Sequence, residues 1–178
     1  ATLLEPGSIR HAGVGPTTLG AWSKSSTGLE NAQRVAEFFT TAGIETQAVD
    51  DVHSVVWNKL LINIGINAIT ALTGIKNGQL LDLESTRDIS RTAVEEAMAV
   101  ARAANVRINE DAVKHVLEVA QATAANRSSM GQDVDNRRQT EISTINGYIV
   151  QEAGRHGLDA PVNRTLTALV ETLQYHYQ

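Results

Sequence analysis

The sequence predicts a mainly α protein, in which an all-α domain of residues 51–178 follows a small α/β segment of residues 1–50. Two observations lead to this prediction. Short runs of strand-forming residues occur only before Asp51, where they are mixed with one helical pattern. From Asp51 onward the apolar residues recur at helical spacing, and strand signals vanish. A chain of 178 residues is also long enough to bury a full hydrophobic core.

The composition is that of a globular protein and argues against several classes of partner. Hydrophobic residues make up 42% of the chain, aromatic residues 4%, and the net charge is −5. An acidic chain with few aromatic residues and no long basic run is a poor match for a protein that binds nucleic acid or an anionic membrane. The sequence contains no cysteine, so it has no disulfide or thiolate chemistry, which fits a reducing, cytoplasmic compartment. Polar residues interrupt the longest apolar run before it reaches the roughly 20 residues that span a bilayer, and the N-terminus does not have the pattern of a signal peptide.

The first 22 residues predict short strands joined by turns. Pro6-Gly7 is typical of a turn, and a hairpin of Ser8–Ala12 with Thr17–Trp22 is the simplest interpretation. The stretch Gly13–Gly20 resembles a dinucleotide-binding fingerprint only superficially. Pro16 and two threonines stand where that fingerprint requires the start of a helix, so we interpret the stretch as a turn.

The rest of the α/β segment predicts one helix and one strand. Thr27 and Glu30 have the spacing of a capping box at the start of a helix that runs from Gly28 to about Thr41. Gly43 is typical of a helix stop. Residues Ile44–Val49 then predict a short strand.

Residues 51–74 predict a long buried helix around which the rest of the chain is organised, because apolar side chains occupy nearly every side of it. Lys59, Asn63 and Asn67 recur at four-residue intervals, and so form a slanting polar stripe about 12 Å long on one face. If these side chains face inward they need polar partners, since an unpaired buried polar group costs about 1–3 kcal/mol. The pattern alone leaves two interpretations open: a stripe that borders solvent or a neighbouring helix, or one that lines a ligand-binding cleft.

Further helices are predicted after residue 78. The first runs from Ser85 or Thr86 to Asn105, and the last from Arg164 to about Tyr175. Between them we expect a helix capped by Asn109, a short polar helix capped by Ser128 or Ser129, and a helix opened by Thr140 and Glu141. The short polar helix has few apolar positions, which is typical of a segment that lines a cleft or a subunit contact. His115 and Glu118 share a helix face, but two candidate ligands without a third predict a surface pair and no metal site.

Three segments together resemble one known family. The stretches WNKLLINIGINAITALTGIKNGQLL, SSMGQDVDNRRQTEISTINGYIV and GRHGLDAPVN occur in the order and at the spacing found in the ketopantoate reductases (2-dehydropantoate 2-reductases). The resemblance covers essentially the whole chain. It implies that residues 51–178 form the family's helical domain, of the 6-phosphogluconate dehydrogenase C-terminal-like class, and that residues 1–50 are the end of its NADP-binding Rossmann domain.

The resemblance also implies an activity and a set of site residues. The family reduces 2-dehydropantoate to pantoate with NADPH, a step of pantothenate and coenzyme A synthesis. Lys59 matches its catalytic lysine, which donates a proton to the carbonyl oxygen. The other matches are the substrate-binding residues Asn63, Asn67, Asn77 and Ser129, and Glu141 and Ala1 on the cofactor side. Carbonyl reduction places negative charge on oxygen, which an ammonium stabilises and can protonate.

One departure from the family leads to a further expectation. A ketopantoate reductase holds NADPH with a G-x-G-x-x-G loop in a Rossmann domain, and these 178 residues contain no such unit. We therefore expect a fragment of a longer enzyme that binds NADPH poorly and does not turn over alone, with a homodimer as one form of association. The alternatives are a reductase of another 2-oxo acid on the same fold, or a non-catalytic helical dimerisation module whose polar stripe is an interface network.

Overall fold

The structure is a computed structural model that describes residues 2–11, 15–22 and 27–177. The chain divides into two compact units, Ala1–His53 and Ser54–Gln178. The second unit contains six of the seven helices described, and the four short strands all lie in the first, so the protein is mainly α, as predicted.

The first unit begins with a two-stranded antiparallel hairpin. Strand β1 (Thr2–Glu5) pairs with β2 (Ser8–Arg10), with Glu5 opposite Ser8 across the turn. Gly7 has φ +84°, the conformation that the third position of a type II turn requires after a proline. The predicted hairpin was therefore wrong in its partner strand, because the Pro6-Gly7 turn joins β2 to the strand before it. The Ala12 end of that prediction lies outside the described residues.

The remainder of the first unit is a β-α-β element. Strands β3 (Thr17–Gly20) and β4 (Thr46–Val49) pair in parallel, and helix α1 (Gly28–Thr41) connects them. The predicted helix, its Gly43 stop at φ +88° and the following strand are confirmed. The predicted capping box is not formed: Thr27 is the N-cap, but its backbone is already near-helical (φ −99°, ψ −7°) and its hydroxyl caps no N–H group.

The second unit is a helical bundle around one long helix, α2 (Val52–Thr73), which confirms the predicted central helix. The elements that follow are a 3₁₀ helix at Asn77–Leu81, α3 (Glu84–Ala103), α4 (Ala112–Ala122), α5 (Ser129–Asp135), a 3₁₀ turn at Ile142–Thr144, α6 (Asn146–Arg155) and α7 (Pro161–Tyr175). Three predictions needed correction. Asn109 accepts a hydrogen bond from the Asp111 N–H and stands before the helix it was expected to cap. Glu141 opens a 3₁₀ turn that precedes α6. Helix α7 begins three residues early, at Pro161, where proline's fixed φ suits a first helical turn.

Burial along α2 changes between its two ends. Every residue from Ile64 to Ala71 is buried. Gly65 lies so close to its neighbours that a Cβ there would come within 2.6 Å of the Val116 side chain and 2.9 Å of the Val94 side chain, which shows how tightly α3 and α4 pack against it. Near the N-terminal end, by contrast, the Val55 and Val56 side chains are exposed. The expectation of a buried helix therefore holds throughout its C-terminal half, whereas the N-terminal half buries only part of its surface, at Trp57 and Leu61.

Helix α2 is, by length and composition alone, apolar enough to cross a membrane, although we expected its polar residues to exclude this. More than half of the apolar stretch, 56%, is buried inside the structure. That burial is the property of a core helix in a globular domain.

Candidate functional site

The predicted polar stripe runs along α2 from solvent into the core. Lys59 is exposed, Asn63 is half-buried, and Asn67 is 6% exposed. The Lys59 end of the stripe therefore borders solvent, which is one of the two interpretations that the pattern left open, whereas the Asn67 end lies inside the bundle. Neither the Lys59 ammonium nor the Asn63 amide makes a hydrogen bond or ion pair with a residue that the structure describes.

Asn67, at the buried end of the stripe, has an unpaired amide. Its Nδ2 group is buried without a hydrogen-bond partner in the described part of the chain. One turn later, Thr70 is fully satisfied: its hydroxyl contacts the Ile66 and Asn67 carbonyls and lies 2.7 Å from the Ser128 hydroxyl. A buried amide without a partner is costly, so an unpaired donor at a predicted substrate-binding position is a candidate for a group that a ligand satisfies.

Asn77 is the second predicted residue with an unpaired buried atom. It begins the 3₁₀ helix after α2 and is 8% exposed. Its backbone N–H donates to the Asn126 carbonyl (3.0 Å) and its Nδ2 to the Thr123 hydroxyl (3.0 Å), while its Oδ1 has no partner among the described residues. The unpaired acceptor of Asn77 suits a hydroxyl group of a ligand, and the unpaired donor of Asn67 suits a ligand acceptor.

The structure decides between the two serines that could cap α5. The hydroxyl of buried Ser128 accepts from the Gly131 N–H (3.0 Å), so Ser128 is the cap. Ser129, the predicted substrate-binding residue, is the first residue of α5 and is exposed. Its hydroxyl makes no hydrogen bond with any described residue, which leaves it available to a ligand.

Arg127 is the residue that the sequence reasoning missed. Its side chain is 17% exposed, and the guanidinium donates from Nη1 to the carbonyls of Thr70 (2.5 Å) and Ile75 (2.9 Å). Nε and Nη2 donate to the two carboxylate oxygens of Asp135, at 2.8 and 2.9 Å. These hydrogen bonds hold the pKa of Asp135 below its usual range. The role of the short polar helix in a cleft or subunit contact stays a prediction, and one of its charged residues, Asp135, pairs with Arg127.

Glu141 stands apart from the residues around the end of α2. It is exposed, precedes the 3₁₀ turn, and its carboxylate makes no described hydrogen bond or ion pair. Its neighbour Thr140 donates from N and Oγ1 to the Gln174 side chain on α7, at 3.0 and 2.9 Å. No described contact links Glu141 to the stripe. Ala1, the other predicted cofactor-side residue, lies outside the described residues.

Known proteins resemble this chain over nearly its whole length. A profile of the family described as "Ketopantoate reductase PanE/ApbA C terminal" matches residues 51–174. The chain belongs to this family. A 2-dehydropantoate 2-reductase of Halobacterium salinarum is 38% identical over 98% of the chain and 57% of the relative. A relative from Archaeoglobus fulgidus with the same name is 36% identical over 98% of the chain and 58% of its own length. The chain thus spans a little over half the length of these ketopantoate reductases.

Solved structures show the same fold. A PanE/ApbA family ketopantoate reductase from Ralstonia eutropha JMP134 has a TM-score of 0.85 at 31% identity, covering 95% of this chain and 54% of that one. D-Mandelate dehydrogenase in complex with NADH has a TM-score of 0.88 at 22% identity, over 99% and 60% of the two chains. A dimeric ketopantoate reductase from Staphylococcus aureus has a TM-score of 0.71 at 24% identity, over 82% and 52%. The last two likenesses establish the fold alone.

Proposed function

We propose that this chain is the substrate-binding C-terminal part of an NADPH-dependent 2-dehydropantoate 2-reductase, which forms pantoate for coenzyme A synthesis. The observation that carries the proposal is the pair of unpaired buried amide atoms, Asn67 Nδ2 and Asn77 Oδ1, around the C-terminal end of α2. Both lie on residues that match the family's substrate-binding positions. The family membership of residues 51–174 supports the same conclusion.

The substrate needs donors for its carboxylate and keto oxygens and an acceptor for its hydroxyl. Asn63, Asn67, Asn77 and Ser129 supply amide and hydroxyl groups that can do both without adding charge. Buried polar groups that bind a substrate hydroxyl also reject analogues that lack it, because such an analogue leaves those groups unpaired. An apolar site would distinguish the substrate from these analogues less well.

Lys59 is proposed as the proton donor. When bound, the nicotinamide supplies the hydride that reaches the carbonyl carbon. As that carbon gains hydride, the carbonyl oxygen gains negative charge, and the Lys59 ammonium stabilises this charge and transfers a proton to it. The products are the alcohol and a neutral amine, and the exposed position of Lys59 on α2 lets water restore the lost proton.

The cofactor contacts that we propose for this chain are few. The unpaired, exposed carboxylate of Glu141 fits a hydrogen-bond donor of the cofactor, such as a ribose hydroxyl. The β-α-β element of residues 17–49 is proposed as the end of the Rossmann domain, since parallel strands joined by a helix are its building unit. The rest of that Rossmann domain would hold most of the NADPH. For the longer protein we also propose the homodimer described for the Staphylococcus aureus relative.

The direct test is steady-state oxidation of NADPH by a full-length reductase that carries this sequence, with 2-dehydropantoate and a panel of other 2-oxo acids. We expect the highest kcat/KM with 2-dehydropantoate. A higher kcat/KM with another 2-oxo acid would make that acid the substrate and would leave the role of Lys59 as proton donor unchanged. No oxidation with any 2-oxo acid would contradict the proposal and favour a helical dimerisation module. Isothermal titration of the 178-residue chain should show NADPH affinity weaker than micromolar.

A further inference from the structure

The Arg127 guanidinium connects the segments around the C-terminal end of α2. Four hydrogen bonds leave it: two to the Thr70 and Ile75 carbonyls, and two, in parallel, to the Asp135 carboxylate. Thr70 lies in the last turn of α2, and Ile75 lies in the loop that follows. A positive group at this position satisfies carbonyls and complements the negative end of the helix dipole.

The same guanidinium also fixes α5. A Cβ added to Gly131 would lie 2.6 Å from the Arg127 guanidinium carbon, so the guanidinium packs directly against the first turn of the helix. Asp135 is the last residue of α5, so both ends of this seven-residue helix contact one side chain. The Ser128 hydroxyl, which contacts both the Gly131 N–H and Thr70, holds the N-terminal end a second time.

Three proposed substrate-binding residues lie next to the groups that Arg127 holds. Asn67 is three residues before Thr70 on α2, and Asn77 is two residues after Ile75. Ser129 is two residues after Arg127 itself. Lys59 is exposed, lies three turns away from Thr70 on the same helix, and is not linked to the guanidinium by any described contact.

From this arrangement we infer that Arg127 is a positioning residue: its guanidinium, held by Asp135, sets the relative placement of Asn67, Asn77 and Ser129 for substrate. The expected effect of Arg127 on substrate binding rests on the proposed function. The positions of Asn67, Asn77 and Ser129 relative to Arg127 do not, because they can be measured in the chain without substrate. Lysine cannot replace arginine here, because a single ammonium cannot make two parallel bonds to a carboxylate and also reach two carbonyls in different segments.

The kinetic test uses the full-length reductase with Arg127→Lys. We expect KM for the 2-oxo acid to rise about tenfold or more, since three binding groups lose their alignment. We expect kcat to change less than about threefold at saturation, because Lys59 is unaffected. An unchanged KM in a folded variant would overturn the inference. Asp135→Asn provides a second, milder variant if Arg127→Lys does not fold, and it should raise KM in the same direction.

Arg102→Lys is the matched control. Arg102 pairs with Glu110, also eight residues later in the chain, but both side chains are largely exposed and no proposed binding residue adjoins them. This variant should leave KM and kcat at wild-type values. An equal rise of KM in both variants would mean that the effect is a general loss of stability, and would overturn the inference.

A second readout does not depend on catalysis. In ¹⁵N-correlated NMR spectra of this chain, Arg127→Lys should shift the side-chain amide signals of Asn67 and Asn77 and the backbone amide of Ser129. The buried Asn163 amide, bonded to the Ala93 carbonyl and Asn146, should not move. If the wild-type reductase ignores 2-oxo acids but these shifts occur, the proposed function fails and the positioning role stands. Unmoved Asn67, Asn77 and Ser129 signals would overturn the positioning role.

Discussion

The Thr70 and Ser128 hydroxyls lie 2.7 Å apart in a buried contact that joins the C-terminal end of α2 to the start of α5. Each hydroxyl has a second bond on its own segment: Thr70 to backbone carbonyls of α2, and Ser128 to the Gly131 N–H. The Thr70 and Ser128 hydroxyls are therefore paired, whereas Asn67 Nδ2 and Asn77 Oδ1 have no partner among the described residues. This contrast separates residues that build the site from residues that we propose bind substrate.

The two adjacent serines should respond differently to substitution. Ser128→Ala removes a helix cap and leaves Thr70 with one partner fewer, so the free energy of unfolding should fall by about 1–3 kcal/mol. Ser129→Ala, at an exposed position, should change it by less than about 0.5 kcal/mol while raising KM. Urea denaturation of both variants measures the first effect. Equal destabilisation by the two substitutions would contradict the assignment of Ser128 as the cap.

Asn67→Leu should separate stability from function. Because Asn67 Nδ2 is unpaired, an apolar side chain of similar size should leave the free energy of unfolding unchanged within about 1 kcal/mol or raise it. Substrate binding should weaken about tenfold or more, as one hydrogen bond to a charged group is worth about 1.5–3 kcal/mol.

Asn163→Leu is the control for Asn67→Leu. Asn163 is fully buried, and its side chain bonds to Asn146, the Ala93 carbonyl and Glu96. Its loss should destabilise the chain by about 3 kcal/mol or more, because several buried partners are left unpaired. Thermal and urea unfolding compare the two. A larger loss of stability for Asn67→Leu than for Asn163→Leu would contradict the view that Asn67 is kept for binding.

Gly65 should tolerate no side chain. A Cβ added at this position would meet the Val116 and Val94 side chains at 2.6 and 2.9 Å, so Gly65→Ala should lower the free energy of unfolding by about 1–3 kcal/mol despite the better helix propensity of alanine. Gly154→Ala in α6 has open space around the Cβ and should instead stabilise by about 0.5–1 kcal/mol. Differential scanning calorimetry gives both values. A stabilising Gly65→Ala would show that α3 and α4 pack less closely on α2 than the structure indicates.

The Arg127–Asp135 contact should be lost in acid. The pKa of Asp135 is lowered in the folded state, chiefly by the hydrogen bonds from Arg127. A group with a depressed folded pKa contributes stability above its unfolded pKa of about 4, and this contribution disappears as pH falls through the folded value. Asp135→Asn should therefore be less stable than wild type at pH 5–8, and the difference should shrink below about pH 4. A difference that is constant from pH 7 to pH 2 would contradict this account.

Much of the helical unit could be predicted from local sequence. The apolar pattern of residues 51–74 predicted α2, and the four-residue spacing of Lys59, Asn63 and Asn67 predicted their shared face. Ser128 and Ser129 were the two alternatives predicted for the cap of α5, and Ser128 is that cap. Each of these depends on residues within one or two turns of each other, where periodicity and capping chemistry are sufficient.

The parts that could not be predicted depend on distant neighbours. Thr17 pairs with Thr46, 29 positions later, so turn chemistry near Pro6 could not reveal which strand β3 joins. Arg127 bonds to carbonyls more than 50 positions earlier, which no side-chain pattern records. The helical period shows which face Lys59 occupies, but its exposure depends on which elements cover that face.

The measurement that tests the central claim most directly is the kcat of the Lys59→Ala variant of a full-length reductase that carries this sequence. NADPH oxidation at saturating 2-oxo acid is the readout. We predict a fall in kcat of about 10²–10⁴-fold, the usual contribution of a positioned proton donor, with unfolding unchanged because Lys59 is exposed and unpaired. Exposed Lys114→Ala on α4 is the control and should keep wild-type kcat. A Lys59→Ala enzyme that retains wild-type kcat would contradict the proposal that the polar stripe of α2 is a catalytic face.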